Sequence, residues 1–309
     1  MRIAVIGTGA LACVYAARLA GHADVRMFGT WPEGVAAINA NGVHVVEPDG
    51  RLWRAQVAVC GDPVEGDAQR GAYTEEGGAD VALILVKSYQ TLRAAEWARE
   101  LLTPDGLAVT LQNGLDNYEA IADEVGPERA AIGVTYNAAT MLAPGEVRHV
   151  AHNPTYLGAQ PAYVERIRSL ANLLDRAGLE TEVGADIDGR LWGKAVVNAA
   201  INPLTALWRV PNGALLSPPD RRWLLARLAE EAAGVAHAKG IALPFEDPVA
   251  YAESVCRSTA ANHSSMLQDV ERGRPTEIDS INGIIIAQGK ALGIHVGINE
   301  VIWRLVRAL

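Results

Sequence analysis

The chain has 309 residues, of which 50% are apolar and 20% are charged. This composition is typical of a folded globular protein and excludes a disordered or fibrous one. The length is sufficient for two hydrophobic cores. The formal net charge of −9 argues against nucleic acid as a partner, because binding to a phosphate backbone requires clustered Lys and Arg side chains.

Other whole-chain features argue against membrane, secreted and metal-binding classes. No apolar run approaches the length of a membrane span. We expect no signal peptide, because Met1 and Arg2 lead directly into an apolar strand. Cys13, Cys60 and Cys256 lack the spacing of metal or redox sites, so the sequence predicts reduced cysteines, a cytoplasmic protein and no metal.

The N-terminus combines a strand, a glycine turn and a helix. Residues 2–7 form a short apolar run typical of a buried parallel strand, and residues 13–20 are good helix formers. Between them lies a G-x-G-x-x-A pattern that predicts a dinucleotide-binding turn with the pyrophosphate at the helix N-terminus. The predicted cofactor-binding residues of this turn are Gly7, Thr8, Gly9, Ala10, Leu11 and Ala12.

The end of the second predicted strand bears on the choice of cofactor. Residues 24–29 form this strand, and an NAD site usually carries an acidic residue at its tip for the ribose hydroxyls. Here the tip is Gly29-Thr30-Trp31, with Thr30 as a candidate hydroxyl contact. The absence of a carboxylate favours NADPH, but no arginine is present at the tip to bind a 2′-phosphate, so NADH stays open.

Two further strand ends carry polar residues. The predicted strand at residues 81–87 ends in Lys87, and the one at residues 107–112 is followed by Asn113. Because ligands of open α/β sheets bind beyond the carboxyl ends of the strands, we predict that both side chains contact the cofactor. Residues 61–80 are rich in Gly, Asp and Glu and predict a surface loop.

Beyond this region, residues 145–150 and 155–158 are interpreted as an antiparallel hairpin. His149 and His152 are interpreted as surface residues of these strands. From residue 186 onward the strand signals vanish. The predicted helices then span residues 190–201, 221–239, 264–272, 277–292 and 297–309.

These patterns predict an α/β Rossmann-type dinucleotide-binding domain over residues 1–184 and an all-α substrate and catalytic domain over residues 185–309. The helical domain contains Lys194, Asn198 and Asn202, spaced four residues apart in an apolar run. On a helix this spacing puts a cation and two amides on one face. Polar groups in an apolar face are costly to bury unless they bind something, so they indicate a binding site.

A proline, an acidic residue and two serines mark the predicted ends of helices in the helical half. Pro203 predicts that the helix ends near Asn202. From the sequence alone, Glu277 is interpreted as a first-turn acid favoured by the helix dipole. Ser264 or Ser265 is predicted to cap the preceding helix. Association of two chains through this half into a homodimer is compatible with the sequence, but no motif supports it.

Taken together, the motifs resemble the ketopantoate reductase family over nearly the whole chain. The segments that carry the resemblance are Gly-Thr-Gly-Ala-Leu-Ala at 7–12, Val-Lys-Ser at 86–88, Leu-Gln-Asn-Gly at 111–114, Lys-x-x-x-Asn-x-x-x-Asn-Pro-Leu-Thr-Ala at 194–206, Pro-Asn-Gly at 211–213, and Ser-Ser-Met-Leu-Gln-Asp with Thr-Glu-Ile-Asp at 264–279. The family's usual basic residue after the second strand is missing here.

The resemblance implies roles for individual residues. Lys194 is similar to the family's catalytic lysine, and Glu277 to its paired carboxylate. Gly7, Gly9, Lys87 and Asn113 match cofactor contacts of the family. The positions that match its substrate contacts are Asn198, Asn202, Asn212 and Ser265.

The implied reaction is hydride transfer from NADPH to the C2 ketone of 2-dehydropantoate, with Lys194 as general acid. This reaction would place the chain in pantothenate and coenzyme A biosynthesis, with a small 2-keto acid as its partner. One alternative is a reductase of another branched 2-keto acid, or an opine-type dehydrogenase, on the same scaffold. A second is an NADP-sensing regulator without catalysis, although a sensor would need neither Lys194 nor Glu277.

Overall fold

The computed structural model describes residues 1–63 and 77–309. Residues 64–76, most of the loop expected at 61–80, lie outside the described part. The described chain divides into two units. The first unit comprises residues 1–112 and 117–187, and the second comprises residues 113–116 and 188–309. The domain boundary expected at residue 184 stays a prediction.

The first unit is built on an eight-stranded sheet. Its strands are β1 (Arg2–Ile6), β2 (Asp24–Phe28), β5 (Ala58–Cys60), β6 (Ala79–Ile84), β7 (Leu102–Thr110), β8 (Ala130–Thr135), β11 (Thr155–Gly158) and β12 (Thr181–Gly184). They follow the order β12-β11-β8-β7-β6-β1-β2-β5, and all neighbours are parallel except β8 and β11.

Both faces of this sheet are covered, which explains why its central strands are apolar throughout. Along β1, Ile3 and Val5 belong to one buried cluster, and Ala4 and Ile6 belong to another on the opposite face. The helices of the first unit are α1 (Ala10–Leu19), α2 (Pro32–Asn41), α3 (Thr91–Leu101), α4 (Asn117–Val125) and α5 (Val164–Arg176). The Rossmann-type fold expected for the N-terminal half is confirmed.

A second sheet of four strands packs on the other side of α1, through buried residues that include Val45 and Val147. Its strands, in spatial order, are β4 (Leu52–Ala55), β3 (Val43–Val46), β10 (Glu146–Ala151) and β9 (Ala138–Ala143). This sheet was not among the elements expected from the sequence.

The hairpin expected between residues 145–150 and 155–158 is wrong. Strand β10 pairs with β3 and β9 of the small sheet, whereas β11 pairs with β8 and β12 of the large one. The two segments are close in sequence but pack on different layers. The surface interpretation of His149 is also wrong, because this residue is fully buried.

The second unit is helical, and residues 186–309, all of which are described, contain no strand. Its main helices are α6 (Ile187–Trp208), α7 (Pro219–Ala238), α8 (Pro248–Ser258), α9 (Ser265–Glu271), α10 (Ile284–Ala291) and α11 (Gly297–Arg307). A single π turn, Asp279–Gly283, leads into α10. In the described ranges 1–63 and 77–309, no helix combines the length and apolar character needed to cross a bilayer.

Two features of the second unit differ from expectation. Helix α6 does not end near Asn202 but continues through Pro203 to Trp208. Proline cannot donate to the carbonyl four residues earlier, and here the Nδ2 of Asn282 donates to that carbonyl, Ala199 O, at 3.1 Å. Helix α8 was not predicted, although Asp247 followed by Pro248 is a readable start signal, and Asp247 caps the helix.

Candidate functional site

The glycine turn joins β1 to α1, as predicted. Gly7 has φ +130°, and a Cβ placed there would lie 2.9 Å from the carbonyl oxygen of Leu85. This close approach of two strands requires glycine. Ala12 is fully buried in the core under α1, in agreement with close helix–strand packing at the third position of the pattern.

The turn has the features of an anion site. Gly9 is the N-cap residue of α1, and apart from the adjoining backbone no atom of residues 1–63 and 77–309 lies within 4 Å of the place where its Cβ would be. The first turn of α1 carries no acidic side chain. The space beside Gly9 at the positive end of the helix dipole is therefore open, which fits a pyrophosphate.

The tip of β2 is neutral. Thr30 is exposed, and Thr8 packs against Gly29, where an added Cβ would lie 2.6 Å from Thr8 Cγ2. Trp31 is the N-cap residue of α2, and its ring covers Gly34 closely. The tip therefore offers a hydroxyl, an indole and backbone groups to a ligand.

Lys87 follows β6 and begins a short 3₁₀ turn over Ser88–Gln90, where it is partly buried. The adjacent end of β7 is held by hydrogen bonds that the sequence analysis missed. Gln112 Nε2 donates to the carbonyl of Val86 at 3.1 Å and to Thr91 Oγ1 at 2.9 Å. The Thr91 hydroxyl lies 2.7 Å from Asn117 Oδ1. These bonds fix the two strand ends to each other.

In the second unit, Lys194, Asn198 and Asn202 lie on consecutive turns of α6, so the expected arrangement on one helix face is present. Lys194 and Asn198 are partly buried, and Asn202 is buried. Apolar residues on the rest of the helix, including Val196 and Ala200, are fully buried in the core of the unit. The helix is thus fixed by its apolar sides and presents one polar row.

Lys194 has a shifted pKa. Burial lowers the pKa of its ammonium from 10.5 to about 8, and the carboxylate of Glu277 opposes this shift. Glu277 is itself buried at 5% exposure. The sequence-based interpretation of Glu277 as a first-turn acid favoured by the helix dipole is therefore incomplete, because the buried carboxylate also acts electrostatically on the lysine.

Residues 113–116 connect β7 to α4 but belong to the second unit. Asn113 Nδ2 donates to Glu277 Oε2 at 3.4 Å, and Leu115 N donates to the carbonyl of Ser280 at 3.3 Å. Ser280 Oγ donates to Asp116 Oδ2 at 3.4 Å. Asn113 was predicted as a cofactor contact, and the structure places it beside the catalytic candidate Glu277.

Asp116 is a residue that the sequence analysis missed. Burial raises the pKa of its carboxyl group, and the nearby carboxylates of Asp279 and Glu277 raise it further. The segment Gln-Asn-Gly-Leu-Asp offered a signal, because an acidic residue follows the predicted strand end at 107–112 by only four positions. Asp116, Glu277 and Asp279 therefore form a group of interacting carboxylates, and Glu277 of this group also acts on Lys194.

The remaining substrate candidates differ in their surroundings. Ser264 caps α9 by accepting from Leu267 N at 3.1 Å, and Ser265 is the first, partly buried residue of that helix. The buried Asn212 donates from Nδ2 to Thr259 Oγ1 at 2.9 Å. Its Oδ1 finds no hydrogen-bond partner within residues 1–63 and 77–309.

Comparison with known proteins places the chain in a family. The family model described as ketopantoate reductase PanE/ApbA matches residues 3–162, and its C-terminal counterpart matches residues 186–309. A 2-dehydropantoate 2-reductase of Halobacterium salinarum is 33% identical over 309 residues, which cover 99% of this chain and 98% of the relative.

Solved structures with the same fold include a member of this family. A PanE/ApbA family ketopantoate reductase from Ralstonia eutropha matches with a TM-score of 0.88 at 31% identity, covering 100% of this chain and 98% of that one. A D-mandelate dehydrogenase in a ternary structure with NADH and anilino(oxo)acetate matches with a TM-score of 0.90 at 25% identity and the same coverage. The chain therefore belongs to the ketopantoate reductase family of oxidoreductases.

Proposed function

We propose that this protein is a 2-dehydropantoate 2-reductase, which reduces the C2 ketone of 2-dehydropantoate to pantoate with NADPH. The observation that carries the proposal is the Lys194–Glu277 pair, in which burial brings the pKa of the lysine to about 8 beside a buried carboxylate. Relatives named 2-dehydropantoate 2-reductase at 30–37% identity support the substrate.

The cofactor is a nicotinamide dinucleotide. The turn at Gly7 and Gly9 fits its pyrophosphate, because Gly9 leaves open space at the N-terminus of α1. NADPH is the proposed form, since no carboxylate stands at the tip of β2 to bind a free 2′-hydroxyl and repel a 2′-phosphate. Thr30 and Lys87 are the proposed additional contacts.

When bound, the dinucleotide supplies the hydride. As the ketone is reduced, negative charge develops on its oxygen, and Lys194 both attracts that charge and donates the proton. A pKa of about 8 leaves the ammonium mostly protonated at neutral pH and yet makes it a better acid than an exposed lysine. Glu277 opposes the burial effect and thereby keeps the lysine protonated.

Neutral donors are proposed to bind the rest of the substrate. Asn198 and Asn202 share the helix face of Lys194, and their amides can donate to a carboxylate without removing the charge of the lysine. Asn212 and Ser265 are further proposed substrate contacts. Asn113 has a positioning role in this proposal, because it donates to Glu277 and so holds the carboxylate that acts on Lys194.

A second candidate is a reductase of a different 2-keto acid. It is favoured by the D-mandelate dehydrogenase structure, which matches this chain over its full length with a TM-score of 0.90. Mandelate is an aromatic 2-hydroxy acid, so that enzyme acts on a bulkier substrate with the same oxidation chemistry. A regulator that only senses the dinucleotide is disfavoured, since sensing requires no acid with a lowered pKa.

Both candidates can be tested in one steady-state comparison. The purified chain is mixed with NADPH or NADH and with 2-dehydropantoate, 2-oxoisovalerate or phenylglyoxylate, and the loss of reduced-nicotinamide absorbance is followed. We expect the highest kcat/KM for 2-dehydropantoate with NADPH, and mass spectrometry should identify pantoate. Higher kcat/KM for phenylglyoxylate would support the second candidate, and no turnover with any keto acid would contradict both.

A further inference from the structure

A cluster of potential metal ligands lies in the first unit, remote in sequence from the proposed catalytic residues. Glu47 follows β3, His149 lies on β10 and His152 follows β10. Each residue offers one ligand atom, and these three atoms lie within 4.8 Å of one another. Because β3 and β10 are parallel neighbours, the register of the small sheet brings Glu47 beside His149.

The hydrogen bonds of Asn137 determine which nitrogen of His149 carries its proton. Asn137 Nδ2 donates to the hydroxyls of Thr135 and Thr155 at 3.2 and 3.4 Å, so its Oδ1 faces His149 Nε2 at 3.1 Å. An amide oxygen only accepts, so Nε2 must be the N–H donor of the neutral ring. Nδ1 then carries a lone pair.

This Nδ1 lone pair points at another acceptor. His149 is fully buried, and its Nδ1 lies 3.4 Å from Glu47 Oε2 but forms no hydrogen bond within the described ranges 1–63 and 77–309. In this tautomer two acceptors face each other, which is unfavourable unless a proton or a metal cation lies between them.

The spacing and the outer contacts suit a single ion. Tetrahedral ligands at usual Zn–N and Zn–O distances lie about 3.3 Å apart, close to the 3.4 Å between His149 Nδ1 and Glu47 Oε2. His152 Nε2 forms a hydrogen bond of 2.7 Å with the same oxygen, and this contact must open to about 3.3 Å when both atoms bind the ion. The bond from His149 Nε2–H to an amide oxygen is the kind of outer contact that orients metal-binding histidines.

Arg18 shapes the cluster from the other side. Its guanidinium bonds Glu47 Oε1 and lies over the Trp53 ring, 5.0 Å from the centroid. Arg18 thus fixes the carboxylate and leaves Oε2 for the two histidines. Its positive charge also opposes a cation, so binding depends on the Glu47 carboxylate together with lone-pair donation from the two imidazoles.

We propose that Glu47, His149 and His152 form a binding site for one divalent transition-metal ion of the Zn²⁺ class, which links β3, β10 and α1 of the first unit. A two-histidine, one-carboxylate set is typical of Zn²⁺, with water as the fourth ligand. The site is independent of the proposed reductase activity. It also goes beyond the sequence analysis, which predicted no metal.

The test uses the full-length chain without an affinity tag, stripped with a chelator and titrated with ZnCl₂ in a calorimeter. We expect one Zn²⁺ per chain and a rise in Tm when the ion is present. The affinity should fall at least about tenfold in His152→Gln and in Glu47→Gln, since each removes one of three protein ligands. His152 has a 41% exposed side chain, so its variant is the less disruptive of the two.

His44→Gln is the matched control. His44 lies on the same sheet with its Nδ1 3.5 Å from Glu146. Within the described part of the chain, this histidine–carboxylate pair does not belong to a group of three potential metal ligands. Zn²⁺ binding should be unchanged in this variant. Titration of the wild-type chain with CoCl₂ provides a second readout, and strong visible absorption of four-coordinate Co²⁺ is expected.

Absence of stoichiometric binding in the wild-type chain would overturn the proposal, as would weak octahedral Co²⁺ absorption. Binding that persists unchanged in both His152→Gln and Glu47→Gln would place the ion elsewhere and would equally overturn it.

Discussion

The side-chain amide of Asn113 donates to Glu277 Oε2 at 3.4 Å, across 164 positions of sequence. Asn113 follows the last residues of β7, and Glu277 precedes the π turn of the helical unit. A loop of the α/β half of the sequence is thereby attached to the carboxylate that acts on Lys194. The proposed proton donor depends on this arrangement.

Lys194→Ala should lower kcat for 2-dehydropantoate by about 10²–10⁴-fold, because the general acid and its charge are both lost. NADPH affinity, measured by nucleotide fluorescence, should stay within about twofold, since Lys194 is not a proposed cofactor contact. The reductase rate of the wild-type chain should decline above about pH 8 as the amine loses its proton. Wild-type turnover by the alanine variant would remove the general-acid role.

Glu277→Gln should move that decline to lower pH. The carboxylate raises the pKa of Lys194 against the effect of burial, so its neutral isostere leaves the pKa lower than about 8. The check is a pH profile of kcat for both forms. Glu300→Gln serves as the control, because Glu300 pairs with Lys290 and Arg304 on the surface, and its profile should match the wild type. An unshifted Glu277→Gln profile would contradict the coupling.

The two glycines of the nucleotide turn should respond differently to substitution. Gly7→Ala should destabilise the chain by about 1–3 kcal/mol, because φ +130° is strained for alanine and the Cβ meets Leu85. Gly9→Ala should leave Tm unchanged, since its Cβ enters open space at an ordinary φ of −75°. NADPH binding should nevertheless weaken at least about tenfold, equal to 1.4 kcal/mol. A Gly9→Ala chain with full NADPH affinity would argue against a pyrophosphate at this turn.

Thr30→Asp should shift the preference from NADPH toward NADH. A carboxylate at the tip of β2 would repel a 2′-phosphate and accept from a ribose hydroxyl. Thr30 is exposed, so the change should not disturb the core. The measurement is the ratio of kcat/KM for the two nucleotides, with Thr30→Asn as the uncharged control. Equal ratios in the aspartate and asparagine variants would place the 2′ position away from Thr30.

Asn282→Ala should destabilise the helical unit by about 3 kcal/mol. The variant leaves two buried acceptors unpaired, namely Ala199 O and Asn299 Oδ1, which accept from Asn282 Nδ2 at 3.1 and 3.0 Å. Pro203 has no N–H to donate to Ala199 O, so loss of the bond from Asn282 should also distort α6 near Asn198 and Asn202. Thermal unfolding and the KM for 2-dehydropantoate provide the two readouts. A stable variant with unchanged KM would show that α6 tolerates Pro203 without this bond.

Local patterns predicted a large part of the fold. The apolar strand followed by the turn at Gly7 and Gly9 requires only neighbouring residues, and the structure confirms it. The row of Lys194, Asn198 and Asn202 depends on helical periodicity, which α6 preserves. Asp247 and Pro248 show that an equally local start signal was present for α8 but was not used.

The features that the sequence did not reveal all depend on partners distant along the chain. The extension of α6 through Pro203 requires Asn282, and the separation of β10 from β11 depends on which sheet each segment is buried against.

The sequence by itself determined the dinucleotide turn, the two classes of structure and the row of Lys194, Asn198 and Asn202, because spacing along one strand or helix encodes them. The role of Glu277 followed only from the family resemblance. Only the tertiary structure decided that burial would lower the pKa of Lys194, that Asn113 would bond Glu277, and that His149 would face Glu47. These outcomes depend on desolvation and on pairings between segments more than 80 residues apart, and neither can be inferred from local periodicity.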